Sequence, residues 1–301
     1  MTVLPDWIAA DWGTSNLRLW AMWGNDVVET RASERGMGAM SGPDDFIAEL
    51  ARLTDGWPPV PVIACGMVGA RQGWVEAPYR SVPCTAVSPM ISVPGNPGGR
   101  PVLIVGGIMQ QDPPDVMRGE ETQIAGLLAA NPDFDGTICL PGTHTKWVRI
   151  SAGEVCHFHT IMTGEVFNLL ARQSVLRHSL SADVAPDPGS AVFLDAVATA
   201  LSQPHLAWSR LFRLRAAGLT GQGGIDTEQV AQLSGTLIGL DLGASRAHWL
   251  GQQILILGAS RLAILYDAAL RQQRATPIIG DADTATRAGL HAAWCQYRNQ
   301  I

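Results

Sequence analysis

The residues near the start of the chain that could do chemistry are a carboxylate, a donor-rich turn and an arginine. Asp11 ends one apolar run, Gly13-Thr14-Ser15-Asn16 follows, and Arg18 lies in the next apolar run. This pattern predicts a β-hairpin whose small, hydroxyl-bearing tip lets backbone N–H groups meet a phosphate. Asp11 could hold Mg²⁺ directly or through water, and Arg18 could add a fixed positive charge. An ordinary polar turn is the alternative, because short glycine-rich motifs often match by chance.

A second hairpin of the same kind is predicted about 130 positions later. Thr137 to Leu140 and Lys146 to Ile150 are its strands, and Pro141-Gly142-Thr143-His144-Thr145 is its turn. Lys146 is the single lysine among the 21 basic residues, so its compact ammonium could have been retained to meet a phosphate. An ordinary surface lysine is the alternative.

Two adjacent carboxylates, Glu120 and Glu121, stand where a helix is predicted to begin. Acids at this position are stabilised by the positive end of the helix dipole, so taken alone the pair need do no more than stabilise the start of the helix. Adjacent helical residues point about 100° apart. One of the two could therefore face a substrate hydroxyl as a general base, while the other faces solvent or caps the helix.

Strands and helices alternate along the chain, which indicates an α/β protein. Further strands are predicted at Val27 to Glu34, Val60 to Cys65, Pro101 to Gly107, Val155 to Ile161 and Pro277 to Ile279. Helices are predicted at Asp44 to Leu53, Glu120 to Leu128, Gly164 to Leu176, Val192 to Ser202, Leu206 to Ala217, Asp226 to Leu242 and Ala285 to Tyr297. A strand, a glycine turn and a helix start occupy Gln253 to Leu262. A chain of 301 residues is long for one core, so we expect two domains, 1–135 and 136–301, with the final helix free to pack on the first.

Composition and charge argue against several classes of partner. Although 47% of residues are apolar, no uninterrupted apolar run approaches the roughly 20 residues of a membrane span. The segment Met1 to Asp6 lacks the basic start and apolar core of a signal peptide, so a cytoplasmic protein is expected. The formal charge of −6 and the absence of a basic run argue against nucleic acid and anionic membrane surfaces.

The five cysteines are odd in number, scattered and without CxxC spacing. They are Cys65, Cys84, Cys139, Cys156 and Cys295. This pattern predicts free, buried thiols rather than a disulfide framework or a zinc site.

Two β-rich halves, each offering a phosphate-binding hairpin to a cleft, resemble the actin, hexokinase and Hsp70 type of ATP-binding fold. Within that superfamily the chain is similar, over essentially its whole length, to the 2-dehydro-3-deoxygalactonokinase family. The matching stretches are Asp11 to Arg18, Arg118 to Gln123, Leu140 to Val148 and Met162 to Glu165. The resemblance implies two actin-like (ribonuclease H-like) α/β domains with a nucleotide cleft between them. It also implies phosphorylation of 2-dehydro-3-deoxy-D-galactonate at its 6-hydroxyl, using ATP and Mg²⁺, in galactonate breakdown.

The same resemblance implies residues for the sugar acid and a catalytic base. In the more loosely similar glycerol and xylulose kinases an Arg-acid pair grips the polyol, and Arg71 stands at that point, with Gln72 in the acid's place. Arg71 is expected to meet the sugar-acid carboxylate, and Gly38, Trp74 and Arg118 complete the predicted substrate contacts. Those kinases also carry a catalytic Asp in a Gly-Asp-Gln helix start, where this chain has Gly119-Glu120-Glu121. Glu120 directly follows the glycine and is favoured as the base, although a Glu lengthens the arm by one methylene.

The remaining implied contacts are with the nucleotide. Asp11 would organise Mg²⁺, and the two hairpin tips would hold the phosphates. The predicted contacts are Gly13, Thr14, Ser15, Asn16, Arg18, Gly142, Thr143, His144, Thr145 and Lys146 for the phosphates, with Gly258 and Ala259 at the adenosine pocket. Glu165 is expected to be a helix-terminal acid rather than a catalytic one.

Other functions stay open at this point. The stereochemistry at C4 of the sugar acid is not fixed by sequence, so 2-dehydro-3-deoxy-D-gluconate is an alternative substrate. A non-kinase ATP-binding regulator of the same superfamily would keep both hairpins and lack a sugar site. A DNA-binding regulator is less favoured, because no basic helix-turn-helix extension precedes Asp11. A homodimer is compatible with the sequence.

Overall fold

The structure is a computed structural model that describes residues 3–181, 183–221, 226–258 and 260–299. Its strands are β1 (Trp7–Trp12), β2 (Leu17–Trp23), β3 (Asp26–Ser33), β4 (Val62–Cys65), β5 (Tyr79–Ser81), β6 (Cys84–Thr85), β7 (Met90–Ser92), β8 (Val102–Val105), β9 (Gly107–Gln110), β10 (Asp115–Met117), β11 (Gly136–Leu140), β12 (Thr145–Ser151), β13 (Glu154–Ile161), β14 (Ile254–Gly258) and β15 (Ile278–Asp281). Its helices are α1 (Pro43–Leu53), α2 (Glu120–Ala130), α3 (Thr163–Gln173), α4 (Ala191–Ser202), α5 (Ala207–Leu219), α6 (Asp226–Ala244), α7 (Arg246–Trp249), α8 (Ser260–Gln272) and α9 (Ala282–Arg298).

The chain divides into two compact units. The first contains the described residues up to Phe134, the segment Ser151–His157, and the described residues from Ala282 onward. The second contains Asp135–Ile150 and the described residues of Phe158–Asp281.

The first unit is built on a mixed sheet in the order β3-β2-β1-β4-β8-β7. β1, β4 and β8 are parallel, and β1, β2 and β3 form an antiparallel meander. Alternate residues of β1 face opposite sides, so Ile8 packs with the core under α1 while Trp7 packs with the core under α9. Because β1 is buried on both faces, its carboxyl end holds Asp11 at a fixed edge of the sheet.

Glycines let α2 and α9 pack with their backbones in contact. A Cβ on Gly126 would lie 1.9 Å from the carbonyl oxygen of Ala285, and one on Gly289 would lie 1.9 Å from that of Thr122. No side chain fits either position without moving a helix. The start of α2, which carries both candidate carboxylates, is thereby fixed against the last helix.

The second unit repeats the strand order of the first. Its strands run in the order β15-β14-β11-β12 and then the part of β13 from Phe158 onward, with β11, β14 and β15 parallel and β11 antiparallel to β12. The first unit has the corresponding order β8-β4-β1-β2-β3, so each unit places one hairpin beside parallel strands. Helix α6 packs closely on α4 through Gly235 and Gly239, where a Cβ would lie 2.4 and 2.5 Å from the carbonyl oxygens of Phe193 and Val197.

The α/β prediction and the predicted meanders are confirmed, with element ends shifted by a few residues. The three-stranded sheet β10-β9-β5 was not predicted, because strands of three or four residues show no clear periodicity. The prediction that α3 continues to Leu176 is wrong. Ser174 is extended, with ψ of 178°, so α3 ends at Gln173 and a 3₁₀ turn follows.

All five cysteines are free, as predicted. Cys65, Cys84 and Cys139 are buried, whereas Cys156 and Cys295 are only half-buried, so the prediction of burial is wrong for those two. Among the described residues, no helix combines the length and apolar character that crossing a membrane requires.

Candidate active site

The tip of the first hairpin is held by the loop that follows β3. The N–H groups of Gly36 and Gly38 donate to the carbonyl oxygens of Ser15 and Thr14, at 3.0 and 2.9 Å. A Cβ on Gly36 would lie 2.4 Å from the Thr14 oxygen, so only glycine permits this contact. The side chains of Thr14, Ser15 and Asn16 remain exposed. Gly38, a predicted substrate contact, packs against this tip.

Asp11 and Arg18 are directly opposite each other on β1 and β2. The Nη2 atom of Arg18 donates to Oδ2 of Asp11 at 2.7 Å, and its Nη1 atom donates to Asp283 in the first turn of α9. Arg18 therefore bridges two carboxylates and fixes the orientation of Asp11. Its predicted contact with phosphate stays a prediction.

The carboxyl ends of β1 and β4 meet the start of α2 at Gly66. A Cβ on Gly66 would lie 2.8 Å from the Trp12 carbonyl oxygen and 3.5 Å from Oδ1 of Asp11, and one on Gly119 would lie 3.3 Å from the Gly66 Cα. Both glycines have positive φ, 94° and 103°. Burial, together with the nearby charges of Asp11 and Glu121, raises the pKa of the Cys65 thiol. Asp11 and the start of α2 thus lie close together in the first unit, around Cys65 and Gly66.

Both carboxylates at the start of α2 bind backbone N–H groups just before the helix. Oε2 of Glu120 accepts from the Arg118 N–H at 3.0 Å, and Oε2 of Glu121 accepts from the Gly119 N–H at 2.6 Å. Glu120 is half-exposed, whereas Glu121 is completely buried and also accepts from the Thr122 hydroxyl at 3.0 Å. Of the two alternatives predicted for the second carboxylate, facing solvent or capping the helix, Glu121 does not face solvent. Its side chain turns back to accept from the N–H of Gly119, the residue just before the helix.

The burial of Glu121 should make the stability of the protein depend on pH. Burial, reinforced by the charge of Glu120, raises the pKa of Glu121 from 4.5 to about 8. Between pH 4.5 and about pH 8 the folded protein keeps a proton on Glu121 that the unfolded chain releases. The contribution of Glu121 to the free energy of unfolding therefore falls as pH rises, by as much as ~5 kcal/mol. We expect Glu121→Gln to lose less unfolding free energy than wild type between pH 5 and pH 8, measured by urea denaturation. Parallel pH dependences in the two proteins would contradict the assignment.

The predicted sugar-acid contacts lie in different environments. Arg71 is 81% exposed, and its Nε atom lies 3.3 Å from Oε1 of Glu76. Trp74 is instead a core residue, stacked on Phe46 with the ring centroids 5.6 Å apart, so its indole has no free face for a substrate. Arg118 is buried, which leaves only Arg71 of the predicted polar contacts open to solvent.

Arg118 is anchored to the segment around β5. Its Nη2 atom donates to the Ala77 carbonyl oxygen at 2.7 Å, and its guanidinium carbon lies 4.3 Å from the ring centroid of Tyr79. Its Nη1 atom is buried and has no hydrogen-bond partner among the described residues. These contacts hold the guanidinium in place, and its predicted contact with substrate stays a prediction.

The tip of the second hairpin packs on the start of α3. The Glu165 N–H donates to the Thr143 carbonyl oxygen at 2.9 Å, and a Cβ on Gly164 would lie 2.4 Å from the Gly142 oxygen. Nε2 of His144 lies 2.5 Å from Oε2 of Glu165, which is in the first turn of α3. Thr143 and His144 remain exposed, as their counterparts do in the first hairpin.

Lys146 is buried, so the alternative of an ordinary surface lysine is wrong. Its Nζ atom donates to Oγ1 of Thr160 on β13 at 2.8 Å. Gly258, the predicted adenosine contact, packs on the second hairpin, because a Cβ there would lie 3.0 Å from the Pro141 carbonyl oxygen. Ala259 lies outside the described residues.

A cavity of about 240 Å³ lies beside the second hairpin. Gly142, Thr143 and Thr145 line it on the hairpin side, and residues of α3, α6, α8 and the loop before α4 complete its wall. The apolar part of this wall consists of Phe167, Val184, Pro186, Leu237, Ile238, Leu262 and Leu265. The larger, apolar part of the wall is therefore suited to a flat apolar group, and the hairpin side is polar.

Sequence reasoning missed the buried polar network behind this cavity. Asp241, on α6, is 1% exposed and accepts hydrogen bonds from Trp147, Thr163 and Tyr266. A single acid within the apolar stretch Leu237 to Leu242 was the available signal, since aspartate is rarely buried without partners. These three partners lie 25 to 94 positions away in the chain, so local patterns could not identify them.

Comparison with known proteins gives one consistent family. A sequence profile for the family described as "2-keto-3-deoxy-galactonokinase" matches residues 11–293. The "Probable 2-dehydro-3-deoxygalactonokinase DgoK1" of Rhizobium meliloti (strain 1021) is 40% identical over 97% of this chain and 98% of its own length. The "2-dehydro-3-deoxygalactonokinase" of Escherichia coli (strain K12) is 35% identical over 95% of this chain and 96% of its own. The crystal structure of a Sinorhizobium meliloti protein, provisionally assigned as a 2-dehydro-3-deoxygalactonokinase, matches with a TM-score of 0.88 at 37% identity, covering 97% and 99% of the two chains.

Proposed function

The chain belongs to the 2-keto-3-deoxy-galactonokinase family, and from this premise we propose that it transfers the γ-phosphoryl group of ATP to the 6-hydroxyl of 2-dehydro-3-deoxy-D-galactonate. The observation that carries the proposal is the 35 to 40% identity to curated kinases of that name over nearly the whole chain. This activity is a step of galactonate breakdown, and we propose that it takes place in the cytoplasm, where ATP is supplied.

A coupled ADP-release assay over a panel of 2-keto-3-deoxy sugar acids tests the substrate. We expect the highest kcat/KM with 2-dehydro-3-deoxy-D-galactonate and a lower value with the gluconate-derived acid, which differs in configuration at C4. A higher kcat/KM with the gluconate-derived acid would overturn the substrate assignment. ATP binding without turnover of any sugar acid would instead favour the ATP-binding regulator.

The residues at the end of β1 fit a nucleotide-bound Mg²⁺. Among the described residues no three His, Cys, Asp or Glu side chains are grouped so that they could hold a metal ion. Mg²⁺ in kinases commonly binds one or two carboxylates together with phosphate oxygens and waters, and Asp11 can supply such a carboxylate. When bound, Mg²⁺ neutralises charge on the transferred phosphoryl group. Arg18 holds the Asp11 carboxylate in place for this role.

We assign the general base to Glu120. A base must reach the attacking hydroxyl and must be ionised near pH 7. Glu120 is half-exposed, and the Arg118 N–H orients its carboxylate. Glu121 does not meet these requirements, because burial raises its pKa to about 8 and encloses its side chain.

In the second unit, we propose that the cavity beside the hairpin takes the nucleoside of ATP. Its apolar wall suits a purine, and the exposed hairpin tip beside it offers backbone N–H groups and hydroxyls for phosphates. Lys146, on the strand that follows the tip, supplies the positive charge for the phosphates.

We expect the two proposed substrate contacts to separate in kinetics. Arg71→Ala should raise the KM for the sugar acid about tenfold or more, because a charge-assisted contact to the carboxylate is lost, and leave the KM for ATP within about twofold. Lys146→Met should do the reverse. The measurement is steady-state kinetics with each substrate varied in turn.

The matched control for Arg71 is its ion-pair partner. Glu76→Gln removes the contact at 3.3 Å but no proposed ligand contact, so both KM values should stay within about twofold. Equal effects of Arg71→Ala on both substrates would remove the assignment.

A further inference from the structure

Asp241 is the centre of a fully hydrogen-bonded network beneath the cavity of the second unit. Its Oδ1 atom accepts from Nε1 of Trp147 at 2.8 Å and from the Ser245 hydroxyl at 3.5 Å. Its Oδ2 atom accepts from the hydroxyls of Thr163 and Tyr266, each at 2.5 Å. Burial raises the pKa of Asp241, and the hydrogen bonds from Thr163, Tyr266 and Trp147 oppose that rise. Four donors meeting on two oxygens is the arrangement expected around a carboxylate.

The direction of each hydrogen bond follows from the number of protons available. A hydroxyl has one proton to donate, and an indole can only donate. Tyr266 gives its proton to Asp241, so in its contact of 3.0 Å with Oγ1 of Thr145 it must accept. Thr145 therefore gives its own proton to Tyr266. Thr163 gives its proton directly to Asp241.

Both threonines line the cavity, whereas Asp241 lies behind them. With their protons directed into the network, their oxygens can offer only lone pairs to a ligand. This differs from the sequence-based expectation for Thr145, which placed it among the contacts to the phosphates. Phosphate oxygens are themselves acceptors and gain nothing from such a surface.

We infer that Asp241 is a positioning residue that makes the hydroxyl oxygens of Thr145 and Thr163 acceptors on the wall of this cavity, so that the pair selects the donor-bearing nucleoside of ATP rather than its phosphates. Arg261 also lines the cavity and can only donate, so the acceptor character belongs to the two threonines and not to the whole wall. The amino group of a purine and the hydroxyls of a ribose are donors of this kind, and the apolar residues opposite would cover the rings. The inference rests on the proposed use of ATP.

Asp241→Asn tests the inference closely, because asparagine keeps the shape of the side chain but replaces one acceptor oxygen with an N–H donor. The amide oxygen can still accept from Trp147, while its two N–H protons must donate to the oxygens of Thr163 and Tyr266. Tyr266 then turns its proton toward Thr145, and both threonines gain a proton to direct at the cavity. Tyr266→Phe is the second variant, since it frees the Thr145 proton without changing charge.

We expect Asp241→Asn to raise the KM for ATP and the inhibition constant of adenosine together, by about tenfold, with the KM for the sugar acid within about twofold. Tyr266→Phe should shift the same two constants in the same direction and by less. The control is Thr137→Val, which removes a buried hydroxyl bonded at 2.6 Å to the His248 carbonyl oxygen in the same unit. It should lower the melting temperature and leave nucleotide constants unchanged.

Several outcomes would overturn the inference. Unchanged or tighter ATP binding by Asp241→Asn would mean that the threonines do not act as acceptors. A rise confined to the KM for ATP, with the inhibition constant of adenosine unchanged, would mean that the threonines contact the phosphates. Equal rises in both substrate KM values with a lowered melting temperature would show a merely structural role. A wild-type protein that neither binds ADP in calorimetry nor turns over ATP would overturn the proposed function itself, which separates that failure from the others.

Discussion

Asp11→Asn should lower kcat about a hundredfold or more while the protein stays folded, a loss of at least ~2.7 kcal/mol of transition-state stabilisation. The substitution keeps an oxygen that can accept from Arg18 but removes the negative charge that holds Mg²⁺. Asp11 lies on a strand buried on both faces, so its position does not depend on that charge. Turnover is measured at saturating ATP and sugar acid over a range of Mg²⁺ concentrations, with circular dichroism to check folding.

Asp283→Asn is the matched control for this experiment. Asp283 is the other partner of Arg18 and is about half-exposed, and exposed ion pairs contribute at most ~1 kcal/mol. We expect its kcat to stay within about threefold of wild type. If Asp11→Asn itself kept kcat within about twofold, less than ~0.5 kcal/mol, then Asp11 would not organise the metal.

The sequence predicts the parts of the fold that repeat a pattern over enough residues. Both hairpins and the amphipathic helices are of this kind, and the parallel strands beside the hairpins are recognised as continuous apolar runs, because they are buried on both faces. Short elements are different. The strands β5 and β10 have three residues each, too few for an alternation to stand out. Their pairing with β9 depends on contacts that only the folded chain brings together.

The residues of the candidate site likewise divide into those with a local sequence signal and those without one. Asp11 and the α2 carboxylates could be found because each follows a local signal, the end of a buried strand or the start of a helix. The burial of Glu121 and the core packing of Trp74 could not be found from local signals. Trp74, for example, packs on Phe46, which lies 28 positions away in the sequence. Asp241 shows the limit most clearly, because its role depends on partners from β12, α3 and α8 that no local pattern connects.

Glu120→Gln should lower kcat by about 10²- to 10⁴-fold, or ~3 to 5 kcal/mol, with ADP binding retained. The amide oxygen can still accept from the Arg118 N–H, so the start of α2 keeps its backbone contact. What is lost is the basicity needed to take a proton from the 6-hydroxyl as the phosphoryl group arrives. Single-turnover measurements of phosphoryl transfer and calorimetry of ADP binding separate the chemical step from nucleotide binding.

Glu121→Gln is the internal control, and the structure gives the reason that it should cost less than tenfold. With a pKa of about 8, Glu121 is largely protonated at pH 7, and glutamine has the same shape and the same absence of charge. Its bond from the Gly119 N–H survives in the variant. If the two effects were reversed, the buried carboxyl would be the base and would have to lose its proton and gain access during the reaction. If neither variant lost more than tenfold, the proton of the 6-hydroxyl would leave by a route that uses neither carboxylate, and the analogy with the polyol kinases would fail at this helix.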